Sequence, residues 1–140
     1  MMQSITDIQN GLYDFLVGIP GIPTAIQVEN ERFVPNIRNP WIRTLLVPAE
    51  TTKQSQGING LNRLSGIYAV DLYYPAGRTT VNNINLVADT IINSYIEQLY
   101  INSNSTYIQI LSAWRNTSTQ DGDWIQIPVT IRWESQAARS

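Results

Sequence analysis

The segment Arg63–Tyr74 (RLSGIYAVDLYY) alternates between two faces along its whole length. Leu64, Gly66, Tyr68, Val70, Leu72 and Tyr74 fall on one side; Ser65, Ile67, Ala69, Asp71 and Tyr73 fall on the other. A period of two is strand geometry, so this stretch requires a sheet with one face turned to a core. Trp124–Trp133 repeats the pattern, with Ile125, Ile127, Val129, Ile131 and Trp133 on one face and Gln126, Thr130 and Arg132 on the other. A polar loop holding Asp121-Gly122-Asp123 joins it to a further strand over Tyr107–Trp114. Pro128 has no N–H to give to a ladder, which places the last strand at an edge or a bulge. Trp41–Val47 is β-branched and aromatic and ends at Pro48, again a strand, and Ala25–Val28 is a short one.

Two helices accompany these strands. Ile5, Ile8, Leu12 and Phe15 or Leu16 recur at three- and four-residue steps, which predicts a helix over residues 4–17. Ser4 serves as N-cap, Asp7 suits the positive helix end, and Gly18, Pro20, Gly21 and Pro23 stop the helix and turn the chain. Thr79 or Thr80 caps a second helix running to about Leu99, with Ile84, Val87, Ala88, Ile91, Ile92 and Tyr95 in one apolar stripe. The order is α-β-β-β-α-β-β, an α+β fold with a mostly antiparallel sheet and both helices packed on it. The polar, glycine-bearing stretch 50–62 lies between strands, as a long hairpin tip or a mobile loop, and is expected to protrude. At 140 residues, one domain spanning 1–140 is expected.

Composition narrows the chemistry. There is no cysteine and no histidine, so disulfides, thiol nucleophiles, zinc ribbons and imidazole-dependent acid–base schemes are absent. Nine basic against eleven acidic residues, with the eight arginines and Lys53 scattered, give no basic stripe for nucleic acid. The opening MMQSITDIQNG lacks a signal-peptide pattern, and no stretch approaches the ~18 apolar residues of a membrane span. A soluble, non-secreted chain with no cofactor, no metal, no membrane partner and no enzymatic activity is expected. Only 14% of residues are charged. The surface is rich in Asn, Gln, Tyr and Trp and poor in Lys and Glu, the balance seen at protein–protein interfaces.

Each chemical candidate has a plainer reading beside it. Asp121, Asp123 and Glu134 form a conceivable carboxylate metal site, but Asp-Gly is a hairpin signal and the closing pattern of a calcium loop is missing. Glu50, Asp71 and Glu97 are candidate acid–base carboxylates, whereas a solvated or ion-paired role on a strand face suits Asp71 better. Exposed Trp and Tyr with Asn and Asp also fit a small carbohydrate-binding domain, against an ordinary core or interface role for aromatics on strands. Gly57-Ile-Asn-Gly60 lacks the lysine and the helix of a phosphate loop.

Three strings combine in a distinctive way: NPWIRTLLVPAE from Asn39, GLNRLSGIYAVDLYYPAG from Gly60, and DGDWIQIPVTIRW from Asp121. Together they resemble the tail terminator (tail-completion) proteins of long-tailed bacteriophages. The resemblance implies a virion structural protein, assembled in the host cytoplasm, that forms a homohexameric ring on the completed tail tube. Such a ring stops tube polymerisation and offers a joining surface to the head connector, so the implied partners are other copies of itself, the tail tube protein and the connector. DNA would pass only through the lumen, for which an uncharged or mildly acidic wall is suited. The candidate subunit and tube contacts are Trp41, Lys53, Gln56, Asn59, Arg63, Tyr68, Asp71, Tyr73, Asp123 and Trp124, with Arg63 and Asp71 expected as a polar pair. Another connector, neck or tube-like protein is the alternative within this class.

Overall fold

The computed structural model describes residues 5–23, 25–28, 39–48, 52–53, 61–77, 81–103 and 106–138. Its elements run α1 (Ile5–Val17), β1 (Ile26–Gln27), β2 (Trp41–Pro48), β3 (Thr52–Lys53), β4 (Leu61–Pro75) and α2 (Val81–Gln98). They continue with β5 (Tyr100–Ser103), β6 (Thr106–Arg115), β7 (Thr119–Asp121) and β8 (Trp124–Ala138). The expected order is present, with β3, β5 and β7 added as short strands. The sheet is ordered β1-β2-β4-β8-β6-β5, with β3 on β4 and β7 on β8. It is mixed, because β1 pairs with β2 in parallel while the other pairs are antiparallel.

The two strands with the clearest alternation are the centre of the sheet. β4 and β8 pair in unbroken register from Leu61↔Ala138 to Pro75↔Trp124, a ribbon of about 50 Å at ~3.4 Å per residue. Their alternate residues Tyr68, Val70, Leu72, Ile127, Val129, Ile131 and Trp133 are buried beneath the helices. From α1, Ile8, Leu12 and Leu16 enter this core; from α2, Ile84, Ala88, Ile91 and Tyr95 do. The Tyr95 hydroxyl donates to the Leu12 carbonyl at 2.7 Å and its ring lies 4.7 Å from that of Phe15, which ties the helices together. The buried hydroxyls of Thr44 and Ser135 donate to the carbonyls of Gln27 and Tyr107, so neither is left unsatisfied.

Gly66 is fixed by crowding. A Cβ there would stand 2.4 Å from the Val47 carbonyl oxygen and 3.0 Å from the Trp133 ring, so β2 and that indole occupy the space a side chain needs. The helix ends also follow the chemistry. The last turn of α1 tightens, with the Gly18 and Ile19 amides donating to the carbonyls of Phe15 and Leu16, and Gly21 then takes φ 83°. α2 ends without glycine. Leu99 itself adopts φ 60° and donates to the Tyr95 carbonyl at 3.3 Å, while its own carbonyl accepts from Ile110 at 2.7 Å.

Two expectations are corrected. β8 is neither an edge nor bulged: it is interior, between β4 and the β6/β7 pair, and the bulge lies in β6 at Leu111. Pro128 is tolerated because its carbonyl accepts from Asn116, where β6 has ended at Arg115 and β7 has not begun. A residue's N–H and C=O point the same way in a strand, so the missing donor faces that gap. The stretch 50–62 is not all loop, since Thr52–Lys53 pairs with Asn62–Arg63 and β4 already starts at Leu61. The reach of a protruding tip, like the Ser4, Thr79 and Thr80 caps, lies outside the described residues.

Candidate functional site

Both helices cover one face of the sheet, so the other face is built from the alternate residues of four strands. Register sets them in rows. Val47, Ile67, Arg132 and Ser112 form one row, and Leu45, Ala69, Thr130 and Trp114 the next. Arg43, Asp71 and Pro128 follow, then Trp41, Tyr73 and Gln126. Leu45, Val47 and Ile67 adjoin across β2 and β4 and are between 37% and 46% exposed, while Trp114, 41% exposed, stands on β6 beyond Thr130 and Arg132 of β8. No described element of the chain lies over them. Exposed apolar side chains gathered on one sheet face, interleaved with Arg132, Thr130 and Ser112, suit a contact with another molecule.

At one end of this face the rings cluster. Trp41 stacks on Tyr73 with centroids 4.2 Å apart and planes within 8°, and Trp124 meets Trp41 edge-on at 6.1 Å. The Arg43 guanidinium sits 5.6 Å above the Tyr73 ring and donates to Asp71 at 2.9 Å. That hydrogen bond to the carboxylate raises the Arg43 pKa above its ordinary value, outweighing partial burial, which acts the other way. Four predicted residues, Trp41, Asp71, Tyr73 and Trp124, therefore come together. Asp123 adjoins them in the β7–β8 turn, where Gly122 takes φ 61° and the Asp123 carbonyl accepts from the Ala76 amide.

Other predicted residues lie elsewhere. Arg63 does not pair with Asp71: eight residues along one strand separate their backbones by about 26 Å. The partner of Asp71 is Arg43, its cross-strand neighbour. Tyr68, 1% exposed, points into the core rather than to a surface, and burial pushes its hydroxyl pKa well up. Lys53 lies on β3, while Gln56 and Asn59 fall outside the described residues. The sequence reading missed Arg43, Leu45, Val47, Trp114 and the placement of Arg132 beside Ile67. The signal was the unbroken apolar run Leu45-Leu46-Val47, which fills both faces of a strand.

Hydrolytic or metal chemistry gains no geometry. Asp123 precedes β8 and Glu134 lies eleven residues further along it, about 37 Å away, and Glu97 is on a helix while Asp71 is on the helix-free face. Among the described residues no group of three acidic side chains could hold a metal ion. A cleft of about 550 Å³ between α1 and β5 contains one carboxylate, Asp14, beside Asn10, Gln98 and Asn102. The stacked Trp41–Tyr73 pair also fits a sugar platform poorly, because Tyr73 is buried and each ring covers the other.

What remains is a two-layer fold with one sheet face that no described element covers. The model of the phage tail terminator protein family matches residues 9–133. The chain belongs to that family. Membership gives it a structural role in the phage tail. Among solved structures, one designated only by a sequence code aligns with a TM-score of 0.72 at 16% identity, over 99% of this chain and 100% of that one. A chain of the virion of a native gene transfer agent particle aligns with a TM-score of 0.52 at 12% identity, over 93% and 95%. At these identities the likeness is one of fold. No curated protein matches the chain in sequence.

Proposed function

We propose that this protein is a single-domain subunit of a closed homohexameric ring that caps the finished tail tube. The ring stops addition of further tube subunits and presents the surface to which the head connector joins. The observation that carries this reading is the open sheet face, where Leu45, Val47, Ile67 and Trp114 are exposed and no described element of the chain covers them. Ring closure needs two different, complementary surfaces on one subunit, and a helix layer backed by an open sheet provides them. In this reading the Trp41–Tyr73–Trp124 cluster with Asp71 and Asp123, and the segment holding Lys53, Gln56, Asn59 and Arg63, make subunit and tube contacts. The low charge of the chain, 9 basic against 11 acidic residues, suits a conduit through which DNA slides without being held.

The test is a tube-growth assay. Tail tube protein is polymerised with and without the purified protein, and tube lengths and ends are scored by electron microscopy. Growth should stop, with added density at one end, at stoichiometric ratios of protein to ends. Tubes that lengthen at an unchanged rate with bare ends would refute the capping role.

A further inference from the structure

The parallel strand β1 is thinly attached to the sheet it belongs to. It pairs with β2 only through Ile26↔Ile42 and Gln27↔Arg43, and parallel pairing is slightly weaker per residue than antiparallel. Its packing is loose as well. Ala25, Ile26, Gln27 and Val28 are all half-buried, whereas Ile42 beside them on β2 is fully buried. A hollow of about 380 Å³, lined by Val17, Ile19, Pro20, Ile22, Pro23 and Ile26, lies between the turn after α1 and β1. A strand bordering such a hollow gains little dispersion energy on that side.

A buried relay of hydroxyls reaches β1 from the core. The Thr44 hydroxyl, on a residue 2% exposed, donates to the Gln27 carbonyl at 3.1 Å. It is also hydrogen-bonded to the Tyr68 hydroxyl. A threonine has one proton to give, so with that proton on Gln27 it is Tyr68 that donates to Thr44. The chain of donation runs Tyr68 to Thr44 to Gln27, and each bond polarises the next in a site without water. The main chain adds the Ile42 amide, which donates to the Ala25 carbonyl at 2.9 Å.

That last bond fixes which way β2 faces. Main-chain groups alternate along a strand, so with the Ile42 N–H turned to β1, those of Arg43 and Leu45 turn to β4 and those of Thr44 and Leu46 turn outward again. Pro48 continues the outward series at a position where an N–H would have no ladder partner. β1 therefore stands on the outer edge of β2, where an unpaired row of N–H and C=O groups would invite another strand. We propose that β1 is a displaceable guard on this edge. It leaves β2 while the rest of the sheet stays folded, and the Tyr68–Thr44 relay sets how often it does so. With β1 away, Ile42, Thr44 and Leu46 turn an open strand edge to the surroundings. This device belongs to the single chain and does not depend on the ring.

Amide hydrogen exchange followed by NMR tests it. The Ile42 amide reports β1, because its acceptor is the Ala25 carbonyl, and the Leu45 amide reports the β2–β4 ladder. In the wild type, Ile42 should be protected about tenfold less than Leu45, as a local opening below the global one. Thr44→Val removes the hydroxyl and should widen that ratio by about a further tenfold, since the Gln27 carbonyl and the Tyr68 hydroxyl both lose a buried partner. Tyr68→Phe should widen it less, and Thr44→Ser, which keeps the hydroxyl, should leave it at the wild-type value. Taking the ratio within each variant removes any change in overall stability. Equal protection of Ile42 and Leu45 in the wild type would overturn the guard, because β1 would then open only with the whole sheet. A ratio that Thr44→Val and Tyr68→Phe leave unchanged would overturn the relay. If Thr44→Val does not fold, the wild-type ratio and Tyr68→Phe decide.

Discussion

Gly66→Ala adds one methyl group to the centre of the sheet, and the structure fixes what that methyl meets. The new Cβ would lie 2.4 Å from the Val47 carbonyl oxygen, 2.9 Å from the Pro48 Cα and 3.0 Å from the Trp133 ring. An ordinary contact needs about 3.4 Å, so the end of β2 must retreat by about 1 Å or the indole must leave its position. Trp133 is fully buried and packed on Ile110 across β6, so the strand end yields first. Displacing Val47 and Pro48 weakens the last one or two ladder bonds to β4, at about 1 kcal/mol each, and strains the packing by 1–3 kcal/mol. The gain from replacing a strand glycine offsets at most ~1 kcal/mol. A net loss of about 2–3 kcal/mol is expected. Unfolding entropy for 140 residues is about 0.3 kcal/mol per degree, so Tm should fall by about 7–10 °C. Urea denaturation followed by tryptophan fluorescence, with calorimetry for Tm, measures both. A loss below about 0.5 kcal/mol would refute the claim that β2 and Trp133 leave no room at residue 66.

Stability should also fall in alkali. Burial pushes the Tyr74 hydroxyl up to about 12 and raises those of Tyr68 and Tyr95 well above their ordinary value, so the unfolded chain releases these protons from about pH 10 while the native state holds them. The stabilisation is complete below pH 10 and is lost as pH rises towards 12; urea midpoints at pH 8, 10 and 11 should decline, and Tyr74→Phe should flatten the decline. The Arg43–Asp71 pair, with a guanidinium about half exposed, should show a coupling energy of under about 1 kcal/mol in a double-mutant cycle and less in high salt. A coupling of several kcal/mol would mean that the aromatic cluster desolvates the pair far more than its exposure indicates.

Sequence alone was sufficient wherever a periodic pattern ran long enough to be read without partners. The twelve alternating residues of Arg63–Tyr74 and the ten of Trp124–Trp133 specify strands and assign their buried faces, because a strand's side-chain period does not depend on its neighbours. The stripes Ile8–Leu12–Leu16 and Ile84–Ala88–Ile91–Tyr95 do the same for the helices. The family motifs are similarly local in sequence. Everything that depends on which strand lies beside which required the tertiary structure. Pro128 looks like an edge marker until the strand beside it is seen to end and another to begin opposite its missing N–H. Asp71 cannot reveal from its own strand that Arg43, on β2, is the cation it meets, since pairing across strands is set by register and not by distance along the chain. Leu45, Val47, Ile67 and Trp114 each read as ordinary strand residues. They become a surface only when β4 and β8 lie between β2 and β6 and both helices choose the opposite face. A hydrophobic pattern tells a residue to be buried, but whether its own chain or a neighbouring subunit does the burying is decided by where the covering elements go.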